Sequence, residues 1–245
     1  MLLGSSVLLL SLLVGCNNQQ EDGVIVPGST ANQEITNNNN SSTQGDIGSI
    51  FPKSDFAESM IIDSVNENEA IRAEQQTDKG TLFMISSGKE ERGHLNVSST
   101  LGQEGDQTFQ SNYSIVYKQG DQDKVLLELK AYLFVQPSDK IITFEKVVGF
   151  KDGDVYLLTP QYQTGHGLEG YVFAIDKQSG NAFPLEIVRK NNVVFNTLLY
   201  SEAEAPRIEN DVLVVHPPVG AGTPEEEAKD VLYKLDLNKK QLVAE

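Results

Sequence analysis

Beyond Lys53 the chain alternates short runs of β-branched and aromatic residues with polar ones, and Gly, Asn and Asp punctuate the runs. Apolar residues at a period of two describe strands with one buried face, and turn residues between such runs mark their ends. The pattern predicts strands over 58–64, 69–76, 81–86, 113–118, 125–133, 141–148, 155–159, 171–176, 182–188, 193–200, 211–216, 231–235 and 241–243. Tight turns at 66–68, 78–80, 119–121 and 178–180 are expected to join antiparallel neighbours as hairpins. Only 224–229 reads as a helical turn, with Thr223 as its N-cap ahead of Pro224. The body, residues 53–245, is thus expected to be all-β, built of antiparallel hairpins and meanders.

Three stretches repeat one hairpin pattern. Each has an aromatic (Phe83, Phe173, Tyr233), an aliphatic two residues on (Ile85, Ile175, Leu235), then a polar residue (Ser86, Asp176, Asp236) and a Gly- or Lys-bearing turn. The spacing places aromatic and aliphatic on one sheet face, and the polar residue where it can bond turn amides. The latter two copies also follow matching strands that end in proline, Asp154 to Pro160 and Asp211 to Pro217. The C-terminal half is therefore expected to hold two copies of one unit: strand, loop, strand, turn, strand. The pattern resembles the blade hairpins of β-propeller proteins, and the resemblance implies a propeller-like body. A β-sandwich of similar meanders is the alternative, because the repeats do not keep one period.

Residues 17–52 are rich in Asn, Gln, Ser, Thr and Gly, and their one apolar cluster is Val24-Ile25-Val26. That is too little burial to offset the entropy of ordering the segment, so a flexible tether is expected. As a coil it would span roughly 30–36 Å. Before it, Leu2 to Gly15 is an apolar run that turns abruptly polar after Cys16. A membrane-spanning helix needs about 20 apolar residues, and a shorter run ending in small residues has the form of a signal peptide.

The last four residues of the run, Leu13-Val14-Gly15-Cys16, resemble the lipobox of bacterial lipoproteins, and Cys16 is the only cysteine in the chain. The resemblance implies cleavage before Cys16 and a diacylglyceryl group on its thiol, dividing the chain into a signal peptide (1–15), a lipid-anchored linker (16–52) and the β domain (53–245). Two acyl chains suffice for stable anchoring where one is marginal. One feature departs from the pattern: no Lys or Arg precedes Lys53, which leads us to expect an upstream start or a truncated chain. The implied location is the extracytoplasmic face of the cell membrane, or the outer membrane in a host with two, since Asn17 rather than Asp follows the cysteine.

Charge narrows the partners. The formal charge is −16, and the four acids and no bases of residues 1–52 leave the body with 31 acidic and 19 basic residues, a net of −12. Such a body is not expected to bind nucleic acid or, by bulk charge, anionic headgroups. With Cys16 lipidated no disulfide can form, so the core alone must hold the fold.

Chemistry-bearing motifs are sparse. His94, His166 and His216 stand at no metal-ligand spacing, no serine lies in a GxSxG elbow, and no cofactor or metal is expected. Gly165 to Gly170 nominally fits GxGxxG but lies between two strands rather than before a helix. The carboxylate pairs Asp121/Asp123 and Asp152/Asp154 read as turn caps. The loops 161–170 and 217–230 follow matching strands and are expected to share one rim, with His166, Glu169 and His216 as candidate binding residues. These readings favour a binding module for an envelope protein or a carbohydrate over an enzyme. The alternative is a hydrolase of cell-wall glycans, which would need two carboxylates brought about 5–9.5 Å apart by the fold.

Overall fold

The computed structural model describes residues 47–52, 59–225 and 228–245. Among them three sheets stack face to face. The first contains β1 (Met60–Asn66), β2 (Ala70–Gln76), β3 (Thr81–Leu95), β4 (Gln107–Gln119) and β5 (Gln122–Gln136). The middle sheet contains β6 (Glu145–Val147), β7 (Gly153–Leu158), β8 (Leu168–Asp176), β9 (Ala182–Pro184) and β12 (Thr197–Tyr200). The third holds β10 (Glu186–Val188), β11 (Val194–Phe195), β13 (Arg207–Glu209), β14 (Val212–Val215), β15 (Val231–Asp236) and β16 (Gln241–Ala244). Neighbours are antiparallel except β10 and β16, which run parallel. The all-β expectation holds, and each sheet is open, with edge strands that do not pair with one another.

The middle sheet explains why its strands read as near-continuous apolar runs. All six residues of β7 are buried. Tyr156 and Leu158 point into one core with Phe173, Ile175, Tyr113, Met84 and Phe134 of the middle and first sheets. Val155 and Leu157 point the other way, with Val172, Ala174, Leu213, Ile187 and Leu242 of the middle and third sheets. A strand covered on both faces has no polar side to display.

The two predicted copies form matching meanders. β6 to β9 pair in sequence, as do β13 to β16. The register matches as well: Phe173 lies opposite Tyr156, and Tyr233 opposite Leu213, the residue aligned with Tyr156. Asp176 Oδ1 accepts the amides of Gln178 and Ser179 (2.7 and 3.0 Å), and Asp236 Oδ1 that of Lys239 (3.0 Å). The third copy fails. At Ser86 the chain makes a bulge rather than a turn, with Gly88 at φ +95°, and β3 continues to Leu95. The buried face there is Leu82, Met84 and Ser86, opposite to Phe83 and Ile85.

Three local expectations are corrected. The 66–68 turn does not join a hairpin, because β1 and β2 both pair with β3, β2 against its first half and β1 against its second. Asp154 caps no turn; it is 9 % exposed and sits 3.2 Å from Lys146 and 3.6 Å from Lys177. Residues assigned to the linker join the fold, since the Ser49 hydroxyl (2.9 Å) and the Ile50 amide donate to Glu91 on β3.

Burial raises the pKa of six of the eight tyrosines, Tyr113, Tyr132, Tyr156, Tyr162, Tyr200 and Tyr233, with Tyr162 and Tyr200 pushed up to about 12. A phenol whose native pKa exceeds its unfolded value stays neutral in the fold. Its contribution is complete below about pH 10 and is lost as pH rises through the native values. The domain is therefore expected to unfold on the alkaline side, with tyrosinate absorbance and loss of far-ultraviolet dichroism rising together above pH 10. Tyrosinate forming without loss of dichroism would contradict this burial.

Candidate functional site

The two loops predicted to share a rim do so. Segment 161–167 precedes β8, segment 217–230 joins β14 to β15, and both border a cavity of about 370 Å³ at one end of the middle and third sheets. The approach depends on Gly167, which has φ +91°; a Cβ there would lie 2.6 Å from Pro218 Cβ and 2.8 Å from the Tyr200 carbonyl. No side chain fits such a gap. The Ser201 amide donates to the His216 carbonyl (2.8 Å), tying the chain after β12 to the end of β14.

The floor of the first loop is a cradle of amides. Thr164 N and Gly165 N donate to one carboxylate oxygen of Glu202 (2.7 and 2.8 Å), and Thr164 Oγ1 donates to the Gly167 carbonyl. Consecutive amides converging on one point form an anion-accepting nest, and here the chain's own carboxylate fills it. His166 projects from this loop, exposed, on the cavity wall. Gly220, opposite, has open space around its Cβ position.

His216 stands behind the cavity rather than on its wall. Its Nδ1 lies 2.8 Å from Asp230 Oδ1, so the residues at the two ends of the second loop clasp its base. Arg207 joins them, 3.3 Å from Asp230 and 2.7 Å from Glu209, and it also pairs with Glu204. The bond from His216, then those from Arg207, hold the Asp230 carboxyl below its ordinary pKa. Glu169 is apart from both: it lies exposed on β8 and accepts from Thr197 Oγ1 of β12 (3.0 Å). The structure thus brings His166 to the cavity, places His216 in its support and leaves Glu169 on the flank. Cys16 lies outside the described residues.

Sequence reading missed Glu202. It sits in the polar segment after β12, where nothing local marks it; the signal is the Gly165-x-Gly167 loop, whose free amides call for an acceptor. At the other end of the same strands, the turns 176–180 and 236–240 border an open groove of about 1290 Å³. It is lined by charges of both signs, including Lys151, Asp152, Lys234 and Glu245. Lys234 and Glu245 pair with each other at 2.5 Å.

Among the described residues no group of three or more His, Cys, Asp or Glu side chains is placed to hold a metal ion. Comparison with protein-family models, curated proteins and solved structures finds no match to this chain.

Proposed function

We propose that this chain is a lipid-anchored protein of the bacterial cell envelope, acylated at Cys16, whose β domain captures an envelope protein or a carbohydrate at the rim formed by its two loops. The observation that carries the reading is the convergence of 161–167 and 217–220 on one cavity. Its wall of Gly165, Gly167, Ala203, Pro218 and Gly220 leaves room for a ligand, and His166 and Glu202 supply polar groups. Pockets of this kind, with a few convergent polar groups, are the usual places of recognition. The body is read as propeller-like. Two meanders in matching register support that reading, with a β-sandwich of similar meanders as the alternative.

The hydrolase alternative needs a general acid with a raised pKa. Asp176 and Asp230 do not fit that role: both are held below the ordinary carboxylate range, Asp176 chiefly by the Ser179 amide and Asp230 chiefly by His216.

The test has two arms on the native protein. Intact mass and membrane fractionation beside Cys16→Ala should give an acylated chain starting at Cys16, shed to the soluble fraction by the substitution. Cross-linking in the envelope beside Gly220→Trp, which fills open space, should lose partner capture while stability is unchanged. An unmodified cysteine removes the anchor, and capture that survives Gly220→Trp removes the rim as the contact face.

A further inference from the structure

The turn and second strand of the β10–β11 hairpin read Arg189-Lys190-Asn191-Asn192-Val193-Val194-Phe195, with two cations in a body of net charge −12, and the hairpin's one carboxylate, Glu186 at the start of β10, accepts from Gln241 (2.9 Å). Val193, Val194 and Phe195 are 48, 49 and 38 % exposed. No other exposed large apolar residue among the described ones has such a neighbour in sequence. Strand β11 is the edge of the third sheet and pairs only with β10. Edge strands are usually blunted by shortness, a charge or a proline; β11 has only its shortness and carries neither of the others. The cations lie at its base: Lys190 is exposed in the 3₁₀ turn Lys190–Asn192, and the Arg189 guanidinium lies 4.5 Å over the Phe195 ring.

We propose that this hairpin is a membrane-contact element. It seats Val193, Val194 and Phe195 in the interfacial zone of an anionic bilayer while Arg189 and Lys190 meet headgroup phosphates. Charge complementarity chooses the occupant. Cations beside an exposed apolar cluster are the composition of interfacial segments, and they act on anionic lipid within about a Debye length. Two residues of strand offer too few main-chain bonds to recruit another strand. The acidic remainder of the domain is repelled by the same surface, so contact is confined to this corner and the domain has one orientation on the membrane. None of this requires an acyl group on Cys16.

The chain contains no tryptophan, so Phe195→Trp and Val194→Trp each give the full chain a single fluorescent reporter. Both are measured with vesicles of phosphatidylcholine alone and of phosphatidylcholine with phosphatidylglycerol. Val125→Trp, on β5 of the first sheet, serves as a distant reference. The expected result is a blue shift and quenching by bromine-labelled acyl chains at positions 194 and 195, several-fold larger with phosphatidylglycerol. Lys190→Glu should reduce that response, and position 125 should give none. Emission unchanged at 194 and 195 overturns the proposal, including where the vesicles hold the chain by another segment; the hairpin then belongs to a protein partner or to solvent. An equal response in neutral vesicles, or at position 125, overturns it as well.

Discussion

Phe173→Ala is expected to cost about 3–5 kcal/mol, against about 5–15 kcal/mol for the whole stability of a domain. Phe173 is 0 % exposed and sits in the middle sheet opposite Tyr156, edge-on to Phe144 at 6.1 Å between ring centroids. Truncation opens a hole that strands packed from both sides cannot close by relaxing. A parallel change on the other face, Leu157→Ala, is expected to cost about 2–5 kcal/mol, because Leu157 is 1 % exposed in the second core. Urea denaturation of each variant reads these values as midpoint shifts at constant slope. A loss under about 1 kcal/mol for either would be typical of a site that can collapse, and would mean that the middle sheet is not sandwiched as described.

The second large effect comes from charge. Glu90 is 0 % exposed at the bulge of β3, with Arg72 Nε at 2.6 Å and Arg92 Nε at 3.0 Å, and it accepts from the Tyr113 hydroxyl at 3.1 Å. The Arg72 Nε contact is ionic rather than an aligned hydrogen bond, since that nitrogen has no hydrogen-bond partner of good geometry. Its guanidinium also lies 5.2 Å from the Phe109 ring. Glu90→Gln leaves the buried end of Arg72 facing a neutral amide, and breaking a buried pair from one side costs about 3–5 kcal/mol. Replacing three members together, Glu90→Met and Arg72→Met with Tyr113→Phe, should recover much of that loss, because well-packed apolar residues often substitute for a buried ion pair and no buried hydroxyl is then left without an acceptor. By contrast Lys89→Ala, which breaks an exposed pair with Glu67, should change stability by less than about 1 kcal/mol. A Glu90→Gln loss as small as that of Lys89→Ala would show that the cluster is solvated.

These same charges mark where the sequence misled. The second half of β3 reads Glu90-Glu91-Arg92-Gly93-His94, a stretch over which the alternation predicts no strand. It is strand because each acid finds a remote partner: Glu90 in Arg72, Glu91 in Ser49 and Ile50. Partners so far apart in sequence leave no local periodicity, and the choice of β3 over β2 as partner for β1 is non-local in the same way. The strands 155–159 and 171–176 were legible as strands, but not as the centre of a stack, since the period-two reading expects one buried face; the two C-terminal meanders were legible because their turns carry an aspartate with a fixed local duty. The shared rim could be read from strand order alone. The filling of its nest by Glu202 could not, since one glutamate in a polar connection resembles any other.

The path between the two meanders limits how this chain can be cut. After β9 in the middle sheet, the chain crosses to the third for β10 and β11, returns for β12, and crosses again for β13 to β16. Ile187 of β10 is 0 % exposed beside Leu242 of β16, its parallel neighbour. A fragment ending at Tyr200 contains one complete copy of the repeat, yet it would expose Ile187 and strip Val155, Leu157 and Val172 of their cover from Leu213 and Leu242. The copies are thus repeated in wording but woven in space. Shorter expression products that stop between them are expected to aggregate, and the smallest cooperative piece of the C-terminal half includes β16.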